Sequence, residues 1–226
     1  MDVRPPLTEA QLLSRADAIA GRTLAFLAAQ LDREVPPDLS RHKGWVGHLV
    51  EDTLGARAGT RPEPDFPRLG IELKTLPIDL AGKPRESTFV CKVALAEIGA
   101  STWATSTVRK KLRRVLWVPV EADKSIPLPD RRVGSPLLWS PSEAQEAVLA
   151  EDFEELAQLI EEGWVGSITA HRGQYLQLRP KGASAASRAR GIDELGAPVA
   201  TAPRGFYLRR SFTMALLAER FVVARR

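Results

Sequence analysis

At 226 residues, 44% of them hydrophobic, the chain suits one moderately large domain or a two-lobed one that folds alone. Its single cysteine, Cys91, excludes an internal disulfide and a cysteine-rich zinc site. No apolar run approaches the length of a bilayer span, so a soluble cytoplasmic protein is expected. The net charge of +4 hides an asymmetry: from Gly163 onward eleven Lys or Arg stand against three acids, a surplus of +8 that leaves −4 for residues 1–162. A polyanion-facing C-terminal third, with a metal site among the acids elsewhere, gives this division. A solvated basic surface in an arginine-rich chain gives it too.

Residues 1–7 read as a Pro-bearing tail, after which Thr8 and Gln11 predict a capping box for a helix through about Ala20. A second helix is predicted from about Thr23 to Leu31, closed by Pro36 and Pro37. A third begins near Lys43 and places Trp45, Val46, Leu49, Val50 and Leu54 on its apolar side. Gly44, Gly47, His48, Glu51 and Gly55 share another face. Three glycines at a cost of roughly 1 kcal/mol each imply close approach of another backbone or a ligand, with Glu51 pointing into that gap.

The stretch GIELKTLPI alternates Ile71 and Leu73 against Glu72 and Lys74, which predicts a strand with one packed and one charged face. STFVCKVAL, residues 87–95, reads as its hairpin-like neighbour across the turn DLAGKPRE. A basic helix around Ser106 to Arg114 leads into VLWVPV, a continuous apolar run that predicts a buried central strand. Pro127, Pro129 and Pro136 mark a loop, and Ser140 is expected to cap a long helix across Pro141 to Glu162. Residues 164–178 predict two short strands around His171-Arg172-Gly173, and GASAASRARG a basic loop of small residues. GFYLRR predicts a strand, and Ser211 starts a terminal helix through about Phe221. No internal repeat or interdomain linker interrupts the chain.

The pattern that carries chemistry is Asp65, six residues, then Glu72-x-Lys74. Glu72 is the only acid in the chain followed two positions later by lysine, and it lies on the alternating strand with Asp65 before it. Two carboxylates and an ammonium gathered at a strand edge are what metal-assisted phosphodiester cleavage requires. A cross-pleat Glu-Lys pair on an exposed strand gives the same spacing. On the catalytic reading, Asp65 and Glu72 hold Mg²⁺ with the backbone carbonyl of Leu73, and Lys74 orients the attacking water and offsets charge on phosphorus. Glu51 holds a second ion or a metal-associated water, and Lys111 contacts the phosphate from the basic helix. His42, His48 and His171 are too scattered to form a ligand set, and Cys91 sits on a predicted strand as a packed residue. The five tryptophans are assigned to packing. No glycine-rich dinucleotide motif, P-loop or nucleophile elbow is present.

The blocks KGWVGHLVEDTLGA, PDFPRLGIELKTLPID, TFVCKVAL, KLRRVLWVPVE, SIPLPDRRVGSPLLWSP, ITAHRGQYLQLRPK and PRGFYLRRSFT closely resemble the MutH family of mismatch-repair endonucleases over residues 10–223. The resemblance implies an α/β, restriction-endonuclease-like fold: a mixed sheet flanked by helices, in one domain of two lobes around a DNA cleft, with residues 1–7 and 224–226 as flexible tails. It implies a Mg²⁺-dependent endonuclease, with Ca²⁺ or Mn²⁺ able to substitute in binding, that nicks the unmethylated strand at hemimethylated GATC. MutL is the implied activating partner, MutS acts indirectly, and a monomer suffices to nick one strand of an asymmetric site. The family's metal and catalytic positions fall on Glu51, Asp65, Glu72 with Leu73, and Lys74, with Lys111 as helper. Its DNA-binding positions fall on Lys43, Arg179-Pro180-Lys181 and, as the methylation sensor, Tyr207. A half-buried strand aromatic is the alternative for Tyr207. The rival functions are a type II restriction endonuclease making double-strand breaks and a non-catalytic DNA-binding protein.

Overall fold

The structure, a computed structural model, describes residues 3–57, 59, 62–181 and 186–220. The chain is mixed α/β and divides into two compact units. The first comprises the chain up to Glu86, Arg113–Ser140 and the residues from Leu217; the second comprises Ser87–Leu112 and Pro141–Leu216.

In the first unit three helices cover one face of a small sheet. Helix α1 (Glu9–Ile19) starts at Thr8, whose hydroxyl accepts from the Gln11 N–H at 3.1 Å. Gln11 Oε1 accepts from the Leu7 N–H rather than from Thr8, so the expected box closes one residue early. Residues 3–7, read from the sequence as the end of a tail, lie along these helices. Arg15 Nη1 donates to the Arg4 carbonyl at 2.7 Å and Arg57 Nη2 to the Val3 carbonyl at 3.0 Å. Helix α2 (Leu24–Gln30) is capped by Thr23. Helix α3 spans Trp45–Leu54, with Gly44 and Gly55 as its caps at φ 88° and 83°. Glycine is the residue that adopts such angles freely. The expected cost of three glycines therefore falls on Gly47 alone.

The sheet of this unit is β1 (Glu72–Ile78), β3 (Val115–Glu121) and β4 (Leu137–Trp139), with β3 in the middle. Strand β1 runs parallel to β3, Glu72 opposite Val115 and Lys74 opposite Trp117. VLWVPV is buried throughout and central, as its unbroken apolar run predicts. Leu73, Leu116, Val118 and Val120 join the helices in one core. By alternation Glu72 and Lys74 share the opposite face with Trp117, whose ring lies 6.2 Å from that of Trp139.

STFVCKVAL is not the neighbour of β1. After Ile78 the Asp79 carboxylate accepts from the Ala81 and Lys83 N–H groups, and Arg85 N donates back to the Pro77 carbonyl. Ile78 bridges Pro84, which has no N–H with which to extend the ladder. Strand β2 (Thr88–Lys92) instead lies in the second unit and pairs with β8 (Arg204–Leu208).

That unit carries the antiparallel sheet β2-β8-β5, where β5 is Leu176–Pro180. Val90, Leu176, Leu178, Phe206 and Leu208 are its buried face. Behind it, helix α5 (Glu143–Glu161) places Phe153 5.5 Å from Phe206. The cap of α5 is Ser142, not Ser140, because Gln145 is the residue that closes a capping box with it. Helix α4 (Thr107–Leu112) is shorter than the basic stretch suggested. Of the two strands expected over residues 164–178 only β5 forms. Trp164–Gly166 is a 3₁₀ turn, and residues 172–176 form a bound turn described below. In the basic loop GASAASRARG, residues 182–185 lie outside the described ones, and the end is strand β6 (Ala189–Ile192), paired with β7 (Pro198–Thr201). Helix α6 covers Arg210–Arg220; Phe221 and residues 224–226 lie outside the described residues. Among the described residues no helix is long and apolar enough to cross a membrane.

Candidate active site and nucleic-acid face

The spacing from Asp65 to Glu72 is that of a tight hairpin. Phe66 and Ile71 bridge each other, Leu69 N donates to the Phe66 carbonyl, and Gly70 turns the chain at φ 66°. Asp65 is thereby returned to the start of β1, where its Oδ2 accepts from the Leu73 N–H at 2.8 Å. Asp65 and Glu72 are 7% and 1% exposed, which acids tolerate only when compensated. Lys74 supplies part of that compensation, its Nζ standing 2.5 Å from Glu72 Oε1. Glu51 projects from α3 on the side of Gly47, within electrostatic reach of Glu72 and Lys74.

Burial pushes Asp65 up to about 6, the Glu72 charge adds to this, and Lys74 and the Leu73 N–H only partly oppose it. Burial also raises Glu51, against the pull of His48 and Lys74. Burial draws Lys74 down, but Glu72, Asp65 and Glu51 outweigh it and hold the ammonium above the usual lysine range. Ionised Asp65 thus costs the fold on the order of 3 kcal/mol at neutral pH. The penalty is absent below the ordinary aspartate range, grows through about 6 and is complete above it.

Among the described residues no three His, Cys, Asp or Glu side chains close into a metal-ligating cluster. Glu72 is turned to Lys74 and Asp65 to the Leu73 N–H. The donor set nevertheless fits a hard divalent cation: its oxygens are those such ions take, and a positive charge relieves two buried carboxylates that repel each other.

The second grouping lies on the open face of β2-β8-β5. Gln177 and Phe89 flank Tyr207, and Arg179 is opposite Gly205. The Phe89 and Tyr207 rings meet edge to face at 5.3 Å. The Arg179 guanidinium passes 5.8 Å from the Tyr207 ring to reach Ser87 Oγ at 2.5 Å, and Lys181 Nζ stands 4.2 Å from the Phe89 ring centre. A Cβ on Gly205 would come within 2.9 Å of Phe89 Cε2, so this glycine seats the ring. Arg179, Pro180 and Lys181 are exposed and Tyr207 is half-buried.

The structure therefore gathers Glu51, Asp65, Glu72, Leu73 and Lys74 in the first unit and Arg179, Lys181 and Tyr207 in the second. Lys111 is half-buried on α4 of the second unit, and Lys43 is exposed just before α3. Sequence reasoning missed Phe89, Ser87 and Gly205. A glycine inside the strand GFYL was the available signal for close approach of a neighbour. Cys91 is buried, and the three histidines are exposed. Packing accounts for Trp117 and Trp139, whereas Trp164 is 43% exposed.

Comparison with known proteins matches residues 54–152 to the family described as DNA mismatch repair enzyme MutH. The chain is 56% identical over 219 residues to a protein of Serratia proteamaculans named DNA mismatch repair protein MutH, covering 97% of this chain and 96% of that one. It is 54% identical to proteins of the same name from Salmonella paratyphi B and Salmonella typhimurium, covering 97% of this chain and 95% of each. With identity at this level along almost its whole length, the chain belongs to the MutH family of DNA mismatch repair endonucleases.

Proposed function

We propose that this protein is a Mg²⁺-dependent, sequence-specific endonuclease that nicks the unmethylated strand at hemimethylated GATC, directing mismatch repair to new DNA. The observation that carries the reading is the pair of buried carboxylates beside an ammonium on β1, in a chain of this family. Asp65 and Glu72, with the Leu73 carbonyl and Glu51, are the groups that would hold the cation. Bound there, Mg²⁺ supplies Lewis acidity toward a phosphate oxygen and acidifies a water; Ca²⁺ or Mn²⁺ would substitute in binding. Lys74 stays protonated at neutral pH and directs its remaining N–H donors at the attacking water and the phosphate. Lys111 and Lys43 are assigned to backbone phosphates, whose contacts position a duplex without reading it.

Arg179 and Lys181 read base edges or phosphates, and Tyr207 senses the adenine N6 position in the major groove, where a methyl adds bulk and removes a donor. One active site engaging one strand makes a monomer sufficient. MutL is the partner proposed to activate cleavage, MutS acting through it, in the cytoplasm.

The test is a hemimethylated GATC plasmid incubated with the protein and Mg²⁺, with and without MutL, with the cut strand mapped. Nicked circles broken on the unmethylated strand, in greater yield with MutL, are the expected product. Linear plasmid would instead identify a type II restriction endonuclease, and binding without cleavage a non-catalytic DNA-binding protein.

A further inference from the structure

Helix α5 carries an acid where its apolar stripe should continue. Leu149, Phe153, Leu156 and Ile160 are buried, and so is Asp152, at 6% exposure. A carboxylate is kept there only if its oxygens are satisfied. Asp152 Oδ1 accepts from the Gln174 N–H at 2.6 Å, and Oδ2 from Tyr175 N–H at 2.6 Å and Leu176 N–H at 2.8 Å.

The carbonyls of the same turn are taken by Arg209. Its Nε donates to the Gly173 carbonyl at 2.7 Å, its Nη2 to the Arg172 carbonyl at 3.0 Å, and its backbone N to the Tyr175 carbonyl at 2.8 Å. Gly173 sits at φ 77°, and a Cβ there would lie 2.0 Å from the Leu176 carbonyl oxygen. The turn is thus held from both sides, by an anion on its donors and a cation on its acceptors.

Its place in the fold gives the clamp a consequence. Leu176 opens β5, Arg209 directly follows β8, and Leu176 opposite Leu208 is the first pair of their ladder. A slip of β5 by one residue along β8 would move the side chains of β5 to the other face. Arg179 would then turn into the core and Leu178 outward, while Tyr207 kept its place, so the two would no longer share a face.

We infer that Asp152 and Arg209 are positioning residues for DNA readout: they set the β5-β8 register that puts Arg179, Lys181 and Tyr207 on one face. The inference rests on the functional reading above, in which that face meets GATC. Neither residue touches a base. Both act through the turn.

The experiment measures binding by fluorescence anisotropy in Ca²⁺, using a GATC duplex and duplexes with one base pair of the site replaced, for Asp152→Asn, Arg209→Lys and the double variant. It is run below the unfolding temperature of each protein. Each single substitution is expected to lower the GATC preference about tenfold, the size of one base-pair discrimination. The double variant should be no worse than the poorer single, because both side chains hold one turn. Should Asp152→Asn fail to fold, Arg209→Lys carries the test alone. A wild type with no GATC preference would remove the functional reading and this inference with it. A wild-type preference retained in the folded variants, whose only change is a lower unfolding temperature, overturns the clamp while leaving the function intact.

Discussion

Lys74→Ala is expected to slow strand cleavage by about 10³-fold while divalent-cation binding at Asp65 and Glu72 persists. The ammonium is 2.5 Å from Glu72 Oε1 and is held protonated by the surrounding carboxylates, so at neutral pH it is a fixed donor rather than a base. Its removal takes a preorganised positive charge from beside the two carboxylates, where in the proposed function the pentacovalent phosphorus gains negative charge. It also takes from Glu72, 1% exposed, the ammonium that stands 2.5 Å from its Oε1. Stripping one member from a buried pair costs on the order of 3 kcal/mol, so the metal-free variant should unfold at lower temperature. Mg²⁺ should restore much of that loss, because the cation takes over the role of the lysine toward Glu72. Single-turnover cleavage and thermal unfolding with and without Mg²⁺ check both halves. A variant that cleaves normally would remove Lys74 from the chemistry.

Tyr207→Ala is expected to reduce the preference for unmodified over methylated GATC by more than tenfold, with little change in Mg²⁺ binding. A pocket that tells one methyl group from none commands roughly 1–3 kcal/mol, and that discrimination needs a wall that does not yield. Tyr207 has the required support. Phe89 meets its ring at 5.3 Å, the Arg179 guanidinium lies 5.8 Å from it, and Gly205 leaves space beneath Phe89. Deleting the ring takes one contact from each neighbour together with the wall itself. Cleavage rates on unmethylated, hemimethylated and fully methylated duplexes give the preference. An unchanged ratio would leave Tyr207 as a packing residue only.

The grouping of Asp65 with Glu72 and Lys74 was legible because its geometry is local. Asp65, Glu72 and Lys74 sit within ten residues, and the one feature joining them, the Phe66–Ile71 turn, is marked by Gly70. VLWVPV was legible for a different reason: only a strand buried on both faces is apolar at every position. The pairing of β1 was not legible. Its ladder partner is β3, about forty residues on, and nothing in STFVCKVAL distinguishes a neighbour of β1 from a neighbour of β8. The glycines of α3 were misread because a periodic face does not reveal which of its members lie at caps, where positive φ removes the cost. Asp152 left a usable signal, an acid in the apolar stripe of α5. Its backbone partners lie more than twenty residues away, so the sequence raised the question without answering it.

The account depends most on Asp65 and Glu72 acting together as ligands for a divalent cation, and a calorimetric Mg²⁺ titration of wild type and Asp65→Ala at pH 7.5 and 5.5 tests this most directly. Because Asp65 is pushed up to about 6, it must lose a proton to bind metal below that pH. Wild-type affinity should therefore fall as the pH is lowered through about 6, and Asp65→Ala should bind at least tenfold more weakly at pH 7.5. Identical titrations for the two proteins at both pH values would contradict it.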